Sequence, residues 1–419
     1  MPRSVPRKQA DARTARNRFA GGGVARLGED FTDRETEREE LARSARTPKG
    51  HVVVSGLRRM GKTSVLLAVR DELEKAGEAV VYVDLWSAST LEDMTTRLAT
   101  AATAALGRRW KELISRLGQG LKLKFEIAES PSGAMVPIPT VELRDAPLAE
   151  QRTRLVGALE LLEELAKKER THLTVILDEF QEIERLGSEE AKPGGVSAMR
   201  QVRAAIQHHR HVTYLFAGSD RRLIARLHEE DGGALYNLGR KYEIGPIDPA
   251  HFARWIETQL RHMGIDGRGM GATIIHVAGP RTRDIRTLAE DVAEVARDGA
   301  RVTDQTITAA MDNIVRQRRW EYEREWKCLT TLQQNVLRAV AHESTGWARA
   351  AVLQQFALGN PSRVSKTIDT LCERTILLRD GDRVVFDDPF YRAWVVVSTL
   401  PDVGLRLPVT HVPTAPHQP

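Results

Sequence analysis

The chain has 419 residues, 41% of them hydrophobic, which predicts two or three domains with real cores and excludes a wholly disordered protein. Its two cysteines, Cys328 and Cys372, are too few for a disulfide framework or a four-cysteine zinc site, and no apolar run approaches the roughly 20 residues of a membrane span, so a reducing, cytoplasmic setting with no membrane partner is expected. The net charge of +5 is concentrated at one end, since residues 1–27 hold seven Lys/Arg against one Asp and residues 28–419 hold 55 basic against 56 acidic side chains.

The basic segment carries Pro2, Pro6 and a Gly21-Gly22-Gly23 run without an apolar stretch behind its charges, so residues 1–30 read as a disordered tail and not as a signal peptide. It is either a solvated leader or a non-specific contact for duplex DNA, through Arg3, Arg7, Lys8, Arg13, Arg16 and Arg18. Thr32 and Glu35 then have capping-box spacing, which predicts a charged surface helix.

Residues 51–70, HVVVSGLRRMGKTSVLLAVR, read as a β-branched buried strand, a glycine-bounded loop and a helix start. Gly56, Leu57, Arg58, Arg59, Met60, Gly61, Lys62, Thr63 and Ser64 give the G-x-x-x-x-G-K-S/T spacing whose backbone N–H groups cradle phosphate. The glycines allow close approach, Lys62 extends a charge to the β and γ phosphates, and the Thr63 hydroxyl is placed to ligate Mg²⁺. The setting predicts ATP and Mg²⁺ as the bound groups.

Residues 79–89 form a second buried strand with Asp84 near its carboxyl end, where ligands bind in open α/β sheets. Residues 91–117 read as helix, and two extended runs on either side of Pro131-Ser132-Gly133 predict a hairpin inserted near 120–143. Helix 148–168 leads into LTVILDEFQEI, where a buried strand ends in Asp178 and Glu179. Asp178 is assigned to Mg²⁺ and Glu179 to the water that attacks the γ phosphate, with Lys62 as its catalytic partner on the phosphates. A fourth strand ends at Gly218-Ser219, and Ser219 is the candidate for sensing the γ phosphate or placing water. His208, His209 and His211 lack carboxylate or cysteine partners at ligand spacing and read as structural.

KYEIGPI, residues 241–247, is the fifth strand and closes a core spanning residues 31–247. Helical segments follow over residues 248–325. Arg281 and Arg283 fall in the first turns of one of these helices, where arginine is not favoured, so they either face an anion or are solvated. Residues 326–398 read as three helices and a hairpin turning at Asp380-Gly381, a winged helix, and residues 399–419 with five prolines as a second disordered tail.

Taken together, the Phe31, Arg34, Glu35 entry, GLRRMGKTS, VVYVDLWSAS, LDEFQEI, AIQHHRHVTYLFAGS and VFDDPFYRAWV make residues 31–398 resemble the prokaryotic archaeal-type P-loop ATPases of the AAA+ and STAND kind, which are related to origin-recognition ATPases. The resemblance implies an α/β fold with a parallel P-loop sheet in the order 5-1-4-3-2, a helical lid and a C-terminal winged helix. It also implies an ATP-hydrolysing switch, with the entry residues Phe31 and Arg34 at the base, while Arg281 and Arg283 are assigned to the nucleotide from their place at a helix start. Ala278-Gly279-Pro280 matches the family's lid element only in part, and no arginine is identified as a finger for a neighbouring copy, so oligomerisation is left open. Three functions remain: an ATP-driven switch, a DNA-bound ATPase, and a regulator whose winged helix docks on protein. Residues 361–380 carry four basic and three acidic side chains, too balanced to choose between DNA and protein.

Overall fold

The computed structural model describes residues 17–19, 28, 31–106, 124–129, 135–140, 146–188, 197–228, 233–296, 300–342, 346–381 and 383–400. The chain divides into two compact units, one holding residues 34–245 and the other residues 246–419 with residues 1–23 and 28–33.

In the first unit α1 (Glu35–Arg46) precedes β1 (Val52–Ser55), α2 (Lys62–Lys75), β2 (Ala79–Asp84) and α3 (Leu91–Leu106). The hairpin β3 (Lys124–Glu129) and β4 (Met135–Thr140) follows, then α4 (Leu148–Lys168), β5 (Leu173–Asp178), α5 (Gln181–Gly187), α6 (Ala198–Ile206), β6 (Val212–Ala217), α7 (Arg221–His228) and β7 (Arg240–Glu243). Five strands pair in parallel in the order β2-β5-β6-β1-β7. Counting only these five along the chain gives 2-3-4-1-5, which is the expected 5-1-4-3-2 read from the opposite edge.

The β-branched runs of β1, β5 and β6 are buried along their whole length because helices cover both faces, as parallel strands require. Register then fixes the site: Asp84 lies opposite Asp178, and Asp178 opposite Ala217, so strand ends two, three and four share one rim. The fifth strand is shorter than 241–247, because Gly245 and Pro246 end the ladder and proline has no N–H to give. The expected helix 91–117 is described to Leu106, and the rest of that expectation lies outside the described residues.

The second unit contains α8 (Pro249–His262), α9 (Gly271–Ala278), α10 (Thr282–Val295), α11 (Asp304–Gln317) and α12 (Arg319–Lys327). The winged helix is α13 (Thr331–His342), α14 (Ala350–Gln355), α15 (Pro361–Glu373), the wing β8 (Leu377–Asp380) with β9 (Arg383–Phe386), and α16 (Pro389–Thr399). One apolar cluster runs through both the helical segment expected as a lid and the winged helix, from Ile256 and Leu288 to Val336 and Trp394. The cause is α16, whose Phe390, Tyr391, Trp394, Val395 and Val396 are all buried and which packs on both α11 and α13.

A correction concerns residues 17–19 of the amino-terminal tail, which composition makes disordered through residue 30. Phe19 is 1% exposed and stacks edge-on against Trp255, while the Asn17 amide donates to the Glu290 carbonyl at 3.1 Å. Arg18, expected either in a solvated leader or on duplex DNA, donates to Gln259 Oε1 at 3.3 Å. One aromatic anchor suffices to hold this short stretch, and averaging over the tail hides it. Among the described residues no helix is long and apolar enough to cross a membrane, and Cys328 and Cys372 are not bridged.

Candidate nucleotide site

The loop between β1 and α2 takes a shape that only its own residues permit. A Cβ on Gly56 would stand 2.5 Å from the Ile244 carbonyl oxygen, and Gly61 caps α2 at φ 91, in the left-handed region. No side chain caps that helix end, so the first N–H groups of α2 and its positive dipole end remain directed at the loop. Lys62, 5% exposed, folds back and its ammonium donates to the carbonyls of Gly56 and Leu57, each at 3.0 Å. A buried cation held on two weak acceptors is one that an incoming phosphate can draw away.

Beneath the loop, the Thr63 hydroxyl donates to Asp178 Oδ2 at 2.7 Å, and the Tyr82 hydroxyl donates to the same oxygen at 3.2 Å. Asp178 is 1% exposed. Burial raises its pKa to about 6, with the hydrogen bonds from Thr63 and Tyr82 pulling the other way. Desolvation dominates, which makes this carboxylate one that gains from a cation beside it. The chemistry of the donor set fits Mg²⁺: one hydroxyl and one desolvated carboxylate, adjacent, at the foot of a phosphate cradle.

Glu179, the next residue, sits at φ 54, uncommon for a non-glycine residue, and its N–H donates to Asp178 Oδ1 at 3.0 Å. That turn sends the two carboxylates in different directions. Glu179 Oε2 accepts from the Ser219 hydroxyl at 2.9 Å and from the Gln181 amide, leaving Oε1 for another partner. Gln181 itself is buried, its Oε1 has no hydrogen-bond partner, and it presses so close to Gly218 that a Cβ there would meet it at 2.3 Å. At the rim, Arg58 lies over the ring of Trp86, 4.6 Å from its centroid, and Trp86 is 51% exposed. Asp84 accepts from the Trp86 N–H at 2.9 Å and so shapes that turn.

The core unit thus brings together Gly56, Gly61, Lys62, Thr63, Asp178, Glu179 and Ser219, with Leu57 half-buried, Met60 buried and Ser64 in the first turn of α2. Arg34 is also in this unit, but its guanidinium bonds to protein groups, Glu37 at 2.5 Å and the Gly245 carbonyl at 2.6 Å. Phe31, Arg281 and Arg283 belong to the other unit. Arg283 is exposed, and Arg281 is buried with its guanidinium on the Asp387 carboxylate at 2.5 Å, so the anion it meets there is the protein's own.

Tyr82 and Gln181 escaped the sequence reading. A signal for Tyr82 was present, since it shares strand parity with Asp84 and its strand borders the one ending in Asp178. For Gln181 there was none beyond its place two residues after Glu179. The histidines lie at the other end of the strands: His209 Nδ1 meets the Tyr214 hydroxyl at 3.0 Å and His211 Nδ1 meets Glu163 at 2.9 Å.

Residues 31–255, more than half of the chain, match the family described as an ATPase domain predominantly from Archaea, and the chain belongs to that family. Residues 320–396 match a family described as a probable winged helix domain. Among solved structures, a Walker-type ATPase of Pyrococcus abyssi is similar at 16% identity and a TM-score of 0.57, covering 88% of this chain and 96% of that one. The ORC1 protein of Aeropyrum pernix in complex with DNA is similar at 17% identity and a TM-score of 0.47, covering 90% of this chain and 95% of that one. At 16% identity the likeness to the Walker-type ATPase is one of fold. No curated protein matches the chain.

Proposed function

We propose that this archaeal-type ATPase hydrolyses ATP to ADP and phosphate in a Mg²⁺-dependent reaction and acts as a switch that couples nucleotide state to its winged helix. The observation that carries the reading is the 2.7 Å bond from Thr63 to Asp178 at the foot of the phosphate loop, with Glu179 held beside it by Ser219 at 2.9 Å. Thr63 and Asp178 are the residues that would hold Mg²⁺, which when bound neutralises charge on the phosphate oxygens. Lys62 exchanges its two carbonyl acceptors for the β and γ phosphates. The α2 N-terminus supplies uncapped N–H donors to the same oxygens. Glu179 accepts a proton from the attacking water through Oε1, since Oε2 is occupied by two donors. Ser219, touching both strand end and base, orients Glu179 towards the γ phosphate.

The test is single-turnover hydrolysis with Glu179→Gln. Loss of a general base lowers the rate by roughly 10²–10⁴-fold while ATP still binds. Unchanged turnover would remove Glu179 from the role and reduce the acidic pair to a structural feature.

A second reading gives the winged helix duplex DNA as its partner. In its favour, Arg363 and Lys366 are both exposed on α15, and the neighbouring acid Asp369 is neutralised by Arg379 at 2.8 Å. Replacing Arg363 and Lys366 together with alanine then weakens duplex binding and flattens its salt dependence. A salt titration that leaves the slope untouched would point to a protein partner instead.

A further inference from the structure

We infer that Arg34 is a positioning residue that straps the phosphate loop to the peptides by which the chain leaves its nucleotide-binding unit, so that occupancy of the loop is transmitted to Gly245. The inference rests on the reading of that loop as an ATP site. Among the described residues the chain passes between the two units at two places, Asp33 to Arg34 and Gly245 to Pro246. Arg34 stands at the first crossing and bonds to the second.

Four observations converge on this. Arg34 is 4% exposed, and its Nη2 donates to the Gly245 carbonyl at 2.6 Å and to the Met60 carbonyl, in the phosphate loop, at 3.4 Å. Its Nη1 donates to Glu37 in the first turn of α1 at 2.5 Å, which fixes the plane of the fork. The far end of the loop is held to the same strand exit, since Gly56 lies against the Ile244 carbonyl and the Ile244 N–H donates to the Ser55 carbonyl at 2.8 Å. Finally, Asp33 and Arg34 have successive positive φ angles, 59 and 77, an arrangement that side-chain-bearing residues keep only when their surroundings enforce it.

These contacts mean that one planar group holds a loop carbonyl and an exit carbonyl at once. A loop that reshapes around phosphate and turns the Met60 carbonyl must alter the donor shared with Gly245. Lysine could not do the same, because a single ammonium on a flexible stem lacks the rigid fork that reaches two carbonyls and a carboxylate together. A purely stabilising clamp would hold Gly245 equally with and without nucleotide, and that difference is measurable.

The experiment is hydrogen exchange of backbone amides in residues 243–250 of the full chain, without nucleotide and with Mg²⁺ and ATPγS at a concentration saturating for each protein. In the parent, nucleotide should slow exchange there by at least about tenfold, the scale of one charged hydrogen bond. Arg34→Lys and Arg34→Gln should exchange fast in both states. Glu37→Gln, which removes only the carboxylate that orients the fork, should weaken the response by about threefold and keeps the test decisive if the Arg34 variants fail to fold. A parent that binds ATPγS without slowing at 243–250, or variants that keep the parent's response, would overturn the inference. A parent that binds no ATPγS would instead overturn the ATP reading on which it stands.

Discussion

The two ends of the core sheet handle buried polar groups in opposite ways. At the carboxyl end, Ser55 Oγ and Gln181 Oε1 are buried without partners and Lys62 is folded onto its own loop. At the amino end, Glu163 accepts from the N–H groups of Arg210, His211 and Val212 and meets the His211 ring, while Tyr214 is held between His51 and His209. Both ends lie on the same strands. The difference teaches where function sits: these unsatisfied groups line the end where a ligand completes them, whereas the closed network at the other end stabilises the fold.

Substitutions at each end should therefore separate binding from stability. Lys62→Ala should reduce ATP affinity by about a hundredfold, the scale of a lost charge-assisted contact to phosphate, with the melting temperature little changed because the ammonium's bonds to the Gly56 and Leu57 carbonyls stay within the loop. Isothermal titration reads the first and calorimetric melting the second.

The amino end should answer to pH. Burial first, then the charges of His209, Lys49 and His172, lower the His51 pKa from 6.5 to about 4. The unfolded chain therefore takes up a proton that the folded one refuses. The stability from this group is complete above about pH 6.5 and is lost as pH falls towards 4, amounting to about 3 kcal/mol. Denaturant unfolding at pH 7 and pH 4.5, with His51→Gln as control, measures it, and the variant should lose part of that slope.

Glu163→Gln should destabilise the fold by about 2 kcal/mol, because a neutral amide offers one acceptor to three backbone donors, and turnover per folded molecule should not change. Smallest is Tyr82→Phe, which removes one hydrogen bond to Asp178 and should raise the Mg²⁺ requirement of hydrolysis by about fivefold, from roughly 1 kcal/mol. A change in stability without a change in Mg²⁺ requirement would place Tyr82 with the amino-end network.

How far the sequence disclosed all this depends on distance along the chain. The phosphate loop and the Asp178-Glu179 strand end were legible because their chemistry is local, set by spacing that any β-loop-α unit realises. Tyr82 was legible only through its parity with Asp84, since its bond to Asp178 follows from strand register, and Gln181 was not, since its role follows from a rotamer turned towards Glu179. The shared core of the helical segment and winged helix depends on where α16 docks, which no periodicity within α16 reveals. Arg281 shows the same limit, for an arginine at a helix start announces an anion without saying whether it is a ligand or Asp387.

The central claim is that Thr63, Asp178 and Glu179 below the phosphate loop form one hydrolytic site. Phosphate release from ATP by the full chain, titrated with Mg²⁺ and then stripped by chelator, tests it most directly. The account predicts turnover that rises with Mg²⁺, vanishes on chelation and is lost in Asp178→Asn while the fold persists. Release that ignores Mg²⁺, or that survives Asp178→Asn, would contradict it.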